Sequence, residues 1–198
     1  AHTPLLIGMT SAETYFPGNR QPRFASPELF MAWLQKEFGQ NGMDIFSAYG
    51  APDTTAAVAR AVRDLAADRW IGADNLKIAE LVMARGTTVY SYFFDQVRPD
   101  PITKYGGWTS EQGAAHSTDI EYFLGTQGLV DTYAWRNQDT DLSEQMQAYL
   151  GSFIRRGDPN TLGLPRWPSL NEGHRIILGG SSGTHDIASM RRRAGRLG

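Results

Sequence analysis

Leu5, Leu6, Ile7 and Met9 form a short apolar run without polar alternation, which predicts an internal strand over Pro4 to Met9, covered on both faces as in a parallel sheet. From Thr10 to Arg23 the chain is rich in Gly, Pro, Asn and Arg and reads as a loop. Ser26-Pro27-Glu28 then supplies an N-cap, a proline at the first helical position and an acid in the first turn. Leu29, Phe30, Trp33, Leu34 and Phe38 follow at helical spacing, so a helix is expected as far as Gly39. Asp53 is placed to cap a second, Ala-rich helix carrying Val58, Val62 and Leu65. Asp74 or Asn75 is placed to cap a third, with Leu76, Ile78, Ala79 and Val82, stopped at Gly86. Thr88 to Phe94 is β-branched and aromatic and reads as the next strand.

Strand, helices and strand make a crossover unit, so the two strands should be parallel and the connection right-handed. The fold class expected is α/β, with mostly parallel strands and flanking helices. Arg98 to Gln112 holds two Pro and two Gly and should be a long loop leaving the second strand. Loops at the C-terminal ends of parallel strands are where such sheets place chemistry. Asp141 and Glu144 suggest a capping box ahead of Leu142, Met146, Tyr149, Leu150 and Phe153, and Arg155, Arg156 and Gly157 close that helix. Pro159, Pro165 and Pro168 make the next stretch extended. Arg175 to Leu178 reads as a third short strand and Asp186 to Arg193 as a terminal helix, and no internal repeat is evident.

With 198 residues, 41% hydrophobic side chains and a formal charge of −2, the chain can close one compact core rather than two unrelated ones. Nineteen Lys plus Arg against twenty-one Asp plus Glu leave no global basic field, which argues against nucleic acid or a membrane surface as partner. Arg191, Arg192, Arg193 and Arg196 read as a basic last turn or tail, suited to a helix C-terminus. The absence of cysteine removes disulfides, Cys-ligated metals and thiol nucleophiles. No apolar run approaches the ~20 residues that span a bilayer, and the start lacks the layout of a signal peptide. The chain opens without Met and runs almost at once into its first strand, as though cut from a larger polypeptide.

Four histidines limit the search for a general base near neutral pH. His2 is terminal and His174 stands beside Glu172, both in surface-like contexts. His116 lies in Gly113-Ala114-Ala115-His116-Ser117-Thr118-Asp119, past the long loop, where small residues let the backbone pack closely. Glu13 sits just beyond the first strand, so its loop and that of His116 should emerge side by side at one sheet edge. A carboxylate accepting the Nδ1 proton of an imidazole fixes its tautomer and stabilises the imidazolium. The plainer alternatives are a structural loop histidine and a glutamate that caps its own turn. Gly179-Gly180-Ser181-Ser182-Gly183 matches the nucleophile elbow Gly-x-Ser-x-Gly, but it follows both the acid and the histidine, the wrong chain order for that sheet class, and is set aside as a turn. His185-Asp186 has no further residues at metal-ligand spacing.

Five ordered segments carry a resemblance. They are Leu6-Ile7-Gly8-Met9-Thr10-Ser11-Ala12-Glu13, Val89-Tyr90-Ser91-Tyr92-Phe93-Phe94, the stretch from Gly113 to Tyr122, Phe153-Ile154-Arg155-Arg156-Gly157-Asp158-Pro159-Asn160, and Leu164-Pro165-Arg166-Trp167-Pro168. Together they resemble the C-terminal part of type-B carboxylesterases, the cholinesterase and para-nitrobenzyl-esterase group of α/β-hydrolases, over nearly the whole chain. The resemblance implies a single α/β-hydrolase domain of which residues 1–198 are the C-terminal segment. It also implies that Glu13 is the acid and His116 the base of a Ser-His-Glu triad. Asp119 stands where the family has a glutamate and is open to a supporting role behind that pair. Ala12 and Thr14 depart from the acidic and glycine residues common beside the acid. The triad serine and the glycine-rich oxyanion loop belong to the family's N-terminal part, and neither precedes Glu13 here.

The resemblance further implies a carboxylic ester hydrolase that needs no metal or organic cofactor. Its partners are a small-molecule ester and the N-terminal part of the same enzyme. Tyr15, Phe16, Tyr105 and Trp108 are on the two loops and placed to line an apolar substrate pocket, or simply to pack. The chain alone is expected to be inactive and, with its first strand unpaired, to self-associate or pair with a companion segment. With no cysteine and arginine far outnumbering lysine, the composition resembles bacterial more than animal members. The alternative from another class is a non-catalytic relative, a binding or adhesion module, which has no need of a Glu-His pair.

Overall fold

A computed structural model describes residues 3–14, 21–99, 113–180 and 183–197. The chain runs β1 (Leu5–Thr10), α1 (Pro27–Phe38), α2 (Gly42–Ala48), α3 (Thr55–Ala67), α4 (Ala73–Met83), β2 (Val89–Phe94), α5 (Ile120–Leu124), α6 (Asn137–Arg156), β3 (His174–Leu178), β4 (Gly183–Asp186) and α7 (Ala188–Ala194). The sheet order is β1-β2-β3-β4. β1 pairs with β2 in parallel from Leu5 opposite Val89 to Thr10 opposite Phe94, and β2 pairs with β3 in parallel, while β4 is antiparallel to β3. This is the expected mostly parallel α/β sheet with flanking helices, with one hairpin added.

Both faces of the sheet are covered. On one, Tyr90, Phe94, Ile176 and Leu178 pack with Tyr122 and with Met146 and Tyr149 of α6. On the other, Val89 joins Ala79 of α4, Leu170 and Ile187. β2 alternates between them because successive side chains of a strand point to opposite faces. A third cluster, Phe30, Leu34, Ile45, Val58, Val62 and Leu65, ties α1, α2 and α3 together. The Gly-Asp-Pro-Asn and Pro-x-Trp-Pro stretches form a structural clasp. Gly157 ends α6 with φ of 71°, Asn160 bonds both the N–H and the carbonyl of Trp167, and the fully buried indole donates to the Ser91 carbonyl at 3.0 Å.

Several expectations are corrected. β1 is an edge strand among the described residues, partnered by β2 on one side and half-buried over most of its length, rather than internal. The second helix is capped by Thr54, whose hydroxyl accepts from Ala57 N, and not by Asp53. The third has no side-chain cap at Asp74 or Asn75, because α3 runs into α4 through a π-helical turn, Asp68–Gly72, so no free helix start exists there. Asn75 instead donates its side-chain amide to the Gly8 carbonyl of β1 at 2.9 Å. α6 begins at Asn137, four residues before Asp141, with Asp139 and Arg136 at its start in place of the Asp141/Glu144 box. The terminal helix starts at Ala188, because Gly183–Asp186 pairs with β3 as a strand that the hydrophobic pattern does not signal. The two short helices α2 and α5 are likewise unsignalled, each too short to show a period.

The arginine run is a clamp. Arg191 pairs with Glu80, Arg193 with Asp68 and Arg196 with Asp44, fastening the C-terminal helix region to α4, the π-helical turn and α2.

Candidate active site

The polypeptide just beyond β1 and the loop that returns after β2 are stitched together by backbone contacts. Ser11 N donates to the Phe94 carbonyl at 2.8 Å, and Ala12 N to the Ala114 carbonyl at 2.8 Å. The Ser11 hydroxyl accepts from Ala114 N at 2.8 Å, and Ala12 and Ala115 form a parallel bridge. Small residues are needed at this seam. A Cβ on Gly113, whose φ is +89°, would lie 2.8 Å from Ser11 Oγ.

One residue further along each strand of this stitch stand Glu13 and His116. Glu13 is buried, with 3% of its surface exposed. Its Oε1 accepts from Thr10 N at 2.6 Å, and its Oε2 lies 2.6 Å from His116 Nδ1. A carboxylate oxygen accepts and does not donate when ionised, so the Nδ1 proton belongs to the imidazole and Nε2 keeps its lone pair in the neutral ring. The His116 side chain is 41% exposed. Ser117 has φ of 65°, a left-handed conformation rare for a residue with a Cβ, directly after the histidine. Thr118 locks that turn by donating its hydroxyl to the Ala115 carbonyl at 2.7 Å.

Two more aromatic residues reach this site. The Trp70 ring, on the π-helical turn, sits 4.8 Å from the His116 ring at an interplanar angle of 52°. Asp119 Oδ2 accepts from the Tyr92 hydroxyl at 2.7 Å. Burial, then the charge of Asp119 and its hydrogen bond, and finally the charge of Glu13 push the Tyr92 hydroxyl well above its ordinary range, so it stays protonated and donates. Neither Trp70 nor Tyr92 stands out in the sequence as a site residue, since each meets its partner only through tertiary packing.

Tyr15, Phe16, Tyr105 and Trp108 lie outside the described residues, as do Ser181 and Ser182 of the glycine-flanked serine pair. An open cleft of about 590 Å³ lies at the other end of β2, lined by Thr88, Tyr90, Arg156, Asp158 and Arg166 among others, and does not adjoin the Glu13–His116 pair. Among the described residues no group of three or more metal-binding side chains converges, and no helix is long and apolar enough to cross a membrane.

The mostly parallel sheet with its flanking helices is consistent with part of an α/β-hydrolase fold. Residues 2–192 match the carboxylesterase family, and the chain belongs to that family. It is 32% identical over 109 residues to an acetylcholinesterase of Gallus gallus, covering 54% of this chain and 13% of that protein. It is 32% identical over 116 residues to carboxylesterase 4A of Bos taurus, covering 59% and 20% respectively. With a bile salt-activated lipase of Bos taurus it shares 37% identity over 78 residues, which is 39% of this chain and 12% of that protein. The chain therefore spans a fifth or less of the length of these relatives.

Proposed function

We propose that the enzyme to which this chain belongs hydrolyses carboxylic esters of small molecules through a Ser-His-Glu triad, with Glu13 as the acid, His116 as the base, and the serine supplied by a preceding part of the enzyme. The observation that carries this reading is the 2.6 Å contact between Glu13 Oε2 and His116 Nδ1, made by a carboxylate whose other oxygen is held by Thr10 N. In that arrangement Nε2 takes the serine proton as the hydroxyl oxygen attacks the ester carbonyl, and His116 then protonates the departing alcohol. Glu13 orients the ring and stabilises the imidazolium throughout. Water, activated by the same Nε2, attacks the acyl-serine and returns the acid product and the free serine. Family membership supports the reaction class, and the names of the relatives, an acetylcholinesterase, a carboxylesterase and a bile salt-activated lipase, support an ester as substrate.

Asp119 acts behind the pair by holding Tyr92, and the remainder of the sheet attaches along the open side of β1. The chain alone then has the proton-handling residues without the attacking oxygen. Treatment of the full-length enzyme with an organophosphorus fluoride, followed by peptide mass spectrometry, tests this division. The adduct is expected on a serine outside residues 1–198, and an adduct on Ser181 or any other serine of this chain would overturn it.

A further inference from the structure

We propose that Trp70 is a positioning residue for His116: its indole bears on the imidazole and limits the ring to the orientation in which Nδ1 faces Glu13. The inference rests on the reading of Glu13 and His116 as the acid–base pair. Among the described residues His116 is hydrogen-bonded at Nδ1 alone, to Glu13 at 2.6 Å, and a single hydrogen bond leaves the ring free to pivot about that contact. The side chain is 41% exposed, so it is only partly confined by its neighbours. The aromatic contact at 4.8 Å supplies the missing restraint, in the tilted geometry that ring quadrupoles favour over a flat sandwich. The electron-rich face of an indole also attracts a cation, so the contact strengthens when His116 carries the proton it has taken.

The segment that presents Trp70 is itself over-determined. Trp70 lies at the centre of the π-helical turn Asp68–Gly72, a widened turn of the kind that often marks functional sites. Asp68, 5% exposed, accepts from the Tyr49 hydroxyl at 2.9 Å and from Arg193 Nε at 2.7 Å. Arg69 is turned the other way, its guanidinium 5.1 Å from the centre of the Phe38 ring. At Gly72 a Cβ would lie 2.6 Å from Asp68 Oδ1 and 3.3 Å from Met9 Sδ, so the turn closes tightly against the end of β1. Anchored before and after, Trp70 projects toward the histidine with 45% of its surface exposed, more than a residue kept for core packing would show. An indole in this place presents a rigid plane at low conformational cost.

The test uses the full-length enzyme with Trp70→Ala and Trp70→Phe, read by steady-state kinetics and by the proton NMR signal of His116 Nδ1–H, which a short bond to a carboxylate moves downfield of the amide region. Trp70→Ala is expected to broaden or abolish that signal and to lower kcat roughly ten- to a hundredfold with KM little changed, the cost of a loosened catalytic group. Trp70→Phe keeps an aromatic face and is expected to restore both. An unchanged signal and kcat in Trp70→Ala overturn the proposal, as does a change confined to KM, which would make the indole a pocket wall. If Glu13→Gln leaves the downfield signal and turnover of the parent enzyme intact, the acid–base reading itself fails, and that outcome is separable from the others.

Discussion

Gly8 faces the ring of Tyr92 across the β1–β2 pair, and a Cβ there would lie 2.3 Å from it. The missing side chain lets the tyrosine lie flat along β1 and carry its hydroxyl to Asp119, while Phe123 and Trp167 flank it edge-on. Tyr92→Phe keeps the ring and deletes one half-buried hydrogen bond, so stability in denaturant should fall by about 1 kcal/mol. Ester turnover should change far less than on loss of His116. A collapse of turnover in Tyr92→Phe would move the tyrosine from support into the chemistry. The Glu13 and His116 positions are legible in the sequence because two parallel strands deliver their following loops to one edge, a rule that needs no side-chain detail. Trp70 is not legible, since nothing in its local pattern says that a π-helical turn will aim it at a loop that follows the next strand.

At the scale of elements, α6 shows how tertiary partners choose a helix start. The sequence offers Asp139 and Asp141, and local rules favour the second because Glu144 follows it. The fold selects Asp139, fully buried, because Gln96 and Tyr122 reach it from outside the helix at 2.8 Å each while Arg136 brings its backbone N–H and guanidinium. Burial pushes the Asp139 carboxyl up, but the side-chain donors Arg136 and Tyr122, the Arg136 backbone and Gln96 outweigh it and hold the group below its ordinary value. A carboxyl depressed in the folded state contributes stability above its unfolded pKa and loses that contribution as pH falls through the folded one. Asp139→Ala removes a fully buried carboxylate and takes the acceptor from the Tyr122 hydroxyl and the Gln96 amide, and should cost about 2–3 kcal/mol in chemical denaturation near neutral pH. The difference from the parent protein should narrow in acid, and a gap that is the same at low pH would contradict this account of α6. The capping of the second helix follows the same lesson on a smaller scale, Thr54 replacing its neighbour Asp53 by one position.

Across the whole molecule, the parallel order β1-β2-β3 and the helical crossover between the first two strands agree with the hydrophobic pattern. The antiparallel β4 is not readable in the same way, because Gly183-Thr184-His185-Asp186 is exposed along its length and carries no apolar alternation to signal a strand. The edge position of β1 also runs against its apolar run, which reads as internal. That composition is accounted for if further strand joins it, the role proposed for the rest of the enzyme. Ordered motifs spread over nearly the whole chain make the family readable, and several of them, such as the Asn160–Trp167 clasp, are structural and lie away from the acid–base pair.

We propose that one imidazole in this chain moves the protons of ester hydrolysis. The most direct test is the turnover of the full-length enzyme carrying His116→Ala, beside a Ser181→Ala control. Triad members act as a unit, so His116→Ala should lower kcat by about three to six powers of ten while Ser181→Ala stays near the parent enzyme. Hydrolysis that persists at close to the parent rate without His116 would contradict the account.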